Sequence, residues 1–197
     1  MEQVIDETSM HIPKKKSVIL LILLSVITLG IYPFVWFIKR SAELNNLQTT
    51  TKSKKNMTII SLVVYLLIYL LIAGLYVTAY LTDETIAAVT DISQIPTTFL
   101  ILYGVIIAFI IILIILLLIL AFNTRKILNE AMANKNVNKK ASGFFTLIFN
   151  LFYLQYEING IINDEENDKR LGPLITLLVI FLLALASAVT AYFMYYK

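Results

Sequence analysis

The chain has 197 residues, of which 59% are hydrophobic and only 15% charged, with a formal net charge of +3. Soluble domains run nearer half apolar and a quarter charged, so the composition points to a membrane protein. Without cysteine, and with His11 as the only histidine, disulfides, thiolate chemistry and a zinc cluster are excluded, and no cofactor or metal is expected.

Residues 1–16 form a basic N-terminal tail ending in Lys14-Lys15-Lys16. No A-x-A-like site follows the short apolar run after it, so it reads as a retained segment and not a cleaved signal. Residues 17–57 begin with half a membrane's length of apolar chain, then break. ITLGIYPFVWF, Ile27 to Phe37, places Gly30 and Pro33 three residues apart. Glycine opens backbone angles closed to other residues, and proline removes a donor and disfavours helix at Tyr32. Tyr32, Trp36 and Phe37 suit a belt at headgroup level.

Residues 58–122 read as two spans, Thr58 to Leu81 and Thr97 to Phe122, joined by an external loop at 82–96. Small-residue pairs in the spans, such as Gly74 with Thr78 and Gly104 with Ala108, read first as close helix contacts within the chain. Residues 123–172 are a cytoplasmic linker and a second copy of the opening segment. KKAS, GFFTLIFNLFYLQY and Glu157-Ile158-Asn159 echo KKS, the broken stretch and Glu43-Leu44-Asn45. Gly143 to Leu154 gives only about 18 Å of helix, too short for a ~30 Å core. Leu151, Leu154, Ile158, Ile161 and Ile162 share one helical face, with Gln155, Glu157 and Asn159 off its centre, as in an interfacial amphipathic helix. In the first copy Arg40 stands where Leu154 falls in the second. Residues 173–197 read as a third span, Leu174 to Tyr196.

Basic residues favour the cytoplasmic side. If all five apolar segments span, the best orientation puts 11 of the 16 basic residues inside. If the first and fourth return to their own side, 15 lie inside, and the loop at 82–96 is the only external one. The expected fold is therefore an all-α membrane protein with three transmembrane helices and two shorter re-entrant or interfacial segments, its N-terminus cytoplasmic. Five spanning helices are the alternative.

Thr28, Gly30, Ile31, Tyr32, Trp36, Lys39, Glu43 and Asn45 together resemble the mark of an uncharacterised family of small prokaryotic membrane proteins, domain of unknown function 4234. GFFTLIFNLFYLQYEIN looks like the second, more degenerate unit of that family, and Pro33 is a departure from its pattern. The resemblance implies a prokaryotic multi-pass protein of the cytoplasmic membrane with no assigned activity, and it carries over no catalytic residue.

The break motif (Thr28, Gly30, Ile31, Tyr32, Pro33, Trp36) is the structural candidate, and Glu43, Asn45, Glu157 and Asn159 are the candidates for interfacial interaction. The plainer reading of the two glutamates is a solvated helix face. Asp164, Glu165, Glu166 and Asp168 lack the spacing of a calcium loop and read as a solvated linker. The expected partners are the bilayer, with Lys52, Lys54, Lys55, Lys139 and Lys140 on anionic headgroups, and a membrane protein or a second copy. Nucleic acid is not expected, since neither a folded basic domain nor an aromatic platform is present. The leading functional expectation is a non-enzymatic structural or accessory element with a cytoplasmic interfacial surface. The alternative is an oligomeric channel or transporter component.

Overall fold

The computed structural model describes residues 13–81 and 96–162, with isolated helical positions at 179, 181, 187 and 190. Among the described residues the fold is all-helical: α1 (Val18–Ile27), α2 (Tyr32–Asn45), α3 (Lys55–Leu81), α4 (Thr97–Asn134) and α5 (Gly143–Ile162). The third expected span, 174–196, lies outside the described residues apart from those four positions. Two compact units are present, one of residues 54–120 and one formed by the chain on either side of it.

The unit of residues 54–120 holds α3 and the first part of α4, two helices long and apolar enough to cross a membrane. Their large apolar side chains, among them Ile60, Leu70, Ile107 and Ile114, are exposed where a soluble core helix would bury them. Ser61 and Thr78 donate their hydroxyls to Met57 O (2.8 Å) and Gly74 O (2.9 Å), which satisfies them within their own helix. A Cβ added at Gly74 or Gly104 would meet nothing within 4 Å. The small-residue pairs at these two glycines are therefore not close contacts within the described chain, contrary to the first expectation for them. The apolar pattern also continues past Phe122, and α4 extends to Asn134, about 57 Å in all.

In the other unit, α1 is capped by Ser17, whose hydroxyl accepts from Leu20 N at 3.3 Å. It closes with Gly30 N donating to Ser25 O (2.7 Å) and Leu29 N to Val26 O (3.0 Å), the paired bonds that end a helix on a left-handed residue. That residue is Leu29, at φ 49°, with Gly30 following at φ 89°. The Thr28 hydroxyl spans the break, donating to Leu24 O (2.7 Å) and accepting from Tyr32 N (2.9 Å). Pro33 then falls in the first turn of α2, where its missing N–H costs nothing.

The break reverses the chain. Lys14, just before α1, donates its backbone N–H to Glu43 Oε2 at 3.2 Å, and its carbonyl accepts from Arg40 Nη2. Along one unbroken helix Lys14 and Arg40 would lie about 39 Å apart. Residues 17–45 are thus a helical hairpin whose two ends meet, not a kinked rod.

α5 is divided by Asn150, at φ 45° and ψ −123°, angles that glycine, asparagine and aspartate tolerate best. It too folds back: Ser142 N donates to the Tyr153 hydroxyl at 2.7 Å, where a straight helix would separate the two residues by about 16 Å. Both hairpins carry exposed apolar side chains away from their closed ends, with Ile27 74% exposed in the first and Leu147 52% in the second. α1 packs against both α2 and α5.

Residues 151–158 depart from the expected interfacial helix. Leu151, Leu154 and Ile158 are buried as their pattern requires, but so are Tyr153, Gln155, Tyr156 and Glu157. The polar side of this helix is covered by chain, not by water or headgroups.

Candidate functional site

The closed end of the first hairpin carries the densest polar cluster among the described residues. Arg40, fully buried at 0% exposure, sits on the α2 face that also buries Trp36, Phe37 and Leu44. A buried guanidinium needs a counter-charge and acceptors for its five N–H groups. Nη1 pairs with Glu43 Oε2 one turn on, Nη2 reaches Lys14 O, and Nε (3.1 Å) and Nη2 (2.8 Å) both donate to Gln155 Oε1. Trp36 Nε1 donates to the same oxygen at 2.8 Å. The Gln155 amide is oriented from its other end, with Nε2 donating to Asn159 Oδ1 at 2.7 Å.

Asn159 in turn grips the backbone of Lys16. Its Oδ1 accepts from Lys16 N at 3.1 Å and its Nδ2 donates to Lys16 O at 2.7 Å. Glu43 and Arg40 do the same for Lys14. The segment before α1 is thereby strapped across both hairpins by side chains that read only its backbone. Burial, then the neighbouring Arg40, holds the Lys16 ammonium below the usual lysine range, with Glu43 opposing the shift.

The two E-x-N motifs are used differently. Glu43 is part of the Arg40 cluster, while Asn45 Oδ1 accepts from Ser53 N at 2.7 Å and so fixes the loop after α2. Glu157 is 3% exposed and pairs with Lys139 at 3.2 Å, so the expectation of a solvated glutamate there is corrected. Trp36 and Phe37 are likewise interior residues, their rings edge-to-face at 4.9 Å, and not a headgroup belt. The break residues Thr28, Gly30, Ile31, Tyr32 and Pro33 form the turn; of the motif only Trp36 reaches the polar cluster.

The last turns of α4 supply a second set of contacts that reading 123–142 as a linker missed. Asn123 Nδ2 donates to Lys52 O (3.1 Å) and Asn134 Nδ2 to Gln48 O (3.2 Å). Glu130 accepts from Thr50 Oγ1 (3.0 Å), Thr51 N (2.9 Å) and Thr51 Oγ1. The bonds from Thr51 hold the Glu130 carboxyl below the usual range. On another side of the helix Arg125 Nε and Asn129 Oδ1 grip the carbonyl and N–H of Ala141 at 2.8 and 2.7 Å. The signal was present in the sequence, because Ile127, Leu128, Ala131 and Met132 recur at helical spacing and are all buried.

The described residues thus define an all-helical protein with two helices long and apolar enough to cross a membrane, joined to a unit of two closed helical hairpins. The chain belongs to the family described as Domain of unknown function (DUF4234), whose model matches residues 16–130. The match takes in the first hairpin, both long helices and most of the α4 clamp, and ends before the second hairpin. No curated protein and no solved structure matches the chain.

Proposed function

We propose that this is an integral, multi-pass protein of a prokaryotic cytoplasmic membrane, acting as a non-enzymatic structural or accessory element. α3, α4 and the segment 174–196 cross the bilayer, and the two hairpins enter it from the cytoplasmic side and return, as copies of one repeated unit. The N-terminus is cytoplasmic, and the closed ends of the hairpins form the working surface there.

The observation that carries this reading is the bonding of Lys14 to Arg40 and Glu43. Five crossings would put these residues on opposite faces of a ~30 Å core. The clamp on the loop before α3 supports the same topology. Lys52 and Thr51, a few residues before α3, are held by Asn123 and Glu130 near the end of α4, so two crossings bring the chain back to the side it left. The polar groups of the site bond one another and the strap, which suits a lock better than a reacting centre.

The absence of cysteine makes the test direct. Single cysteines at Ser9, Asn46, Asn138 and Asn167, with Thr82→Cys as external control, are treated in intact cells with a membrane-impermeant maleimide. The reading expects Thr82→Cys alone to label before lysis. Labelling of either Ser9→Cys or Asn46→Cys from outside, with the other protected, would make the first segment a span and sink it.

A further inference from the structure

We propose that the closed end of the first hairpin binds an anionic phospholipid, its phosphate seated by Lys14, Lys15 and Lys39 and its acyl chains laid along the exposed face of α1. The proposal rests on the one-sided insertion argued above and adds the ligand of that surface.

Two features of different chemistry meet there. The first is an apolar track. Ile19, Leu20, Leu23, Val26 and Ile27 are exposed and recur at three- and four-residue spacing, so they form one stripe running the length of α1. Ten residues of helix span about 15 Å, half of a ~30 Å hydrocarbon core and so the depth of one leaflet.

The second feature is a surplus of positive charge at the start of that stripe. The bonds from the Lys14 backbone to Glu43 and Arg40 bring Lys14, Lys15 and Lys16 beside Lys39 and Arg40. The one carboxylate among them, Glu43, is engaged by Arg40. Lys14, Lys15 and Lys39 are exposed, and none is in an ion pair among the described residues. At Lys16, after burial, Arg40 and to a smaller degree Lys39 and Lys14 disfavour the charged form, against Glu43. An anion at this point relieves like-charge repulsion. A free phosphate would leave the adjoining stripe uncovered, whereas a phospholipid satisfies both features.

This places lipid contact on lysines other than those singled out from the sequence. Lys52 Nζ is spent on Asn45 O and Lys139 on Glu157.

The full-length protein in nanodiscs of phosphatidylcholine and phosphatidylglycerol in equal amounts, examined by native mass spectrometry, tests the proposal. The expected result is preferential retention of phosphatidylglycerol. That preference should fall about fivefold for each of Lys14→Gln, Lys15→Gln and Lys39→Gln, the effect of one lysine near an anionic surface. Lys54→Gln/Lys55→Gln should change it less, and excess inorganic phosphate should not displace the lipid. Equal retention of both lipids, equal losses from the Lys54/Lys55 variant, or displacement by phosphate would each overturn it. Emission from Trp36, the only tryptophan, reports whether the triple variant keeps its fold. Repeating the maleimide labelling on the triple variant separates the two readings. One-sided labelling without lipid preference removes the lipid site alone, while Ser9→Cys and Asn46→Cys on opposite sides removes the hairpin beneath it.

Discussion

Arg40 and Gln155, 115 residues apart in sequence, meet at a single oxygen, Gln155 Oε1, which accepts from Nε at 3.1 Å and Nη2 at 2.8 Å of the guanidinium. With the Trp36 bond to the same oxygen and the packing of α1 on α5, it joins the first hairpin to the second. Removing one member of a buried charged cluster costs about 3–5 kcal/mol, because what remains is buried without a partner. Arg40→Leu and Gln155→Leu should each lower the unfolding free energy in detergent by that order. Arg40→Lys should recover little, since an ammonium cannot reproduce the fork of the guanidinium. The double variant Arg40→Leu/Gln155→Leu should lose less than the sum of the singles. An additive double variant would mean that the two side chains are not coupled.

Leu29 occupies a left-handed backbone position that costs a residue with a Cβ about 1–2 kcal/mol. Leu29→Gly should therefore raise thermal stability, and Gly30→Val should lower it. If Leu29→Gly destabilises instead, its exposed side chain contributes more in the bilayer or micelle than the strain costs.

Asn150 holds the reversal of α5 at angles that branched residues resist. Asn150→Val should destabilise by about 1–3 kcal/mol and Asn150→Gly should be tolerated. A bifunctional maleimide joining cysteines at positions 139 and 157, whose reach matches that of the Lys139–Glu157 ion pair, reports the same fold-back: it should bridge them with Asn150 in place and less readily with Asn150→Val.

The grip on the strap is on backbone atoms. Lys16→Pro removes the N–H that Asn159 receives and should loosen both hairpins, whereas Lys16→Gln should leave the fold intact. Hydrogen exchange in α2 and α5 distinguishes them. Equal protection in the two variants would show that the strap is ornamental.

Glu130 supplies a pH signature. Its carboxyl is held below its ordinary value of 4.5, so the clamp on Thr50 and Thr51 is at full strength above that pH. It weakens as pH falls through the lower value of the folded state. The difference in melting temperature between wild type and Glu130→Gln should therefore be constant near neutrality and shrink below pH 4.5. A difference that grows on acidification would reverse the assignment.

The sequence made the long apolar helices and the break legible, because both are local: one is a run of side chains, the other a glycine and a proline. The repeat of E-x-N draws attention to Glu43, Asn45, Glu157 and Asn159 but not to what each of them bonds. Arg40 was visible as an oddity, a charge on the face where the second segment carries Leu154, and its meaning depended on Gln155 lying opposite. Gln155 itself reads as part of a wet helix side, since nothing local reveals that Trp36 and Arg40 meet it. The same holds for Glu157 and Lys139. Long-range polar closure has no periodicity, and so leaves no trace in a pattern read one window at a time.

At Lys14 and Lys16 the helices hold the chain by its peptide groups and, among the described residues, make no hydrogen bond to the side chain. A segment fixed in that way has its position determined from one side and its chemistry left open on the other. The three lysines before α1 can be exchanged for residues other than proline, which keep the bonded N–H groups, without moving the hairpins. A lineage could thus retune what this protein meets at the membrane surface while its architecture stays still.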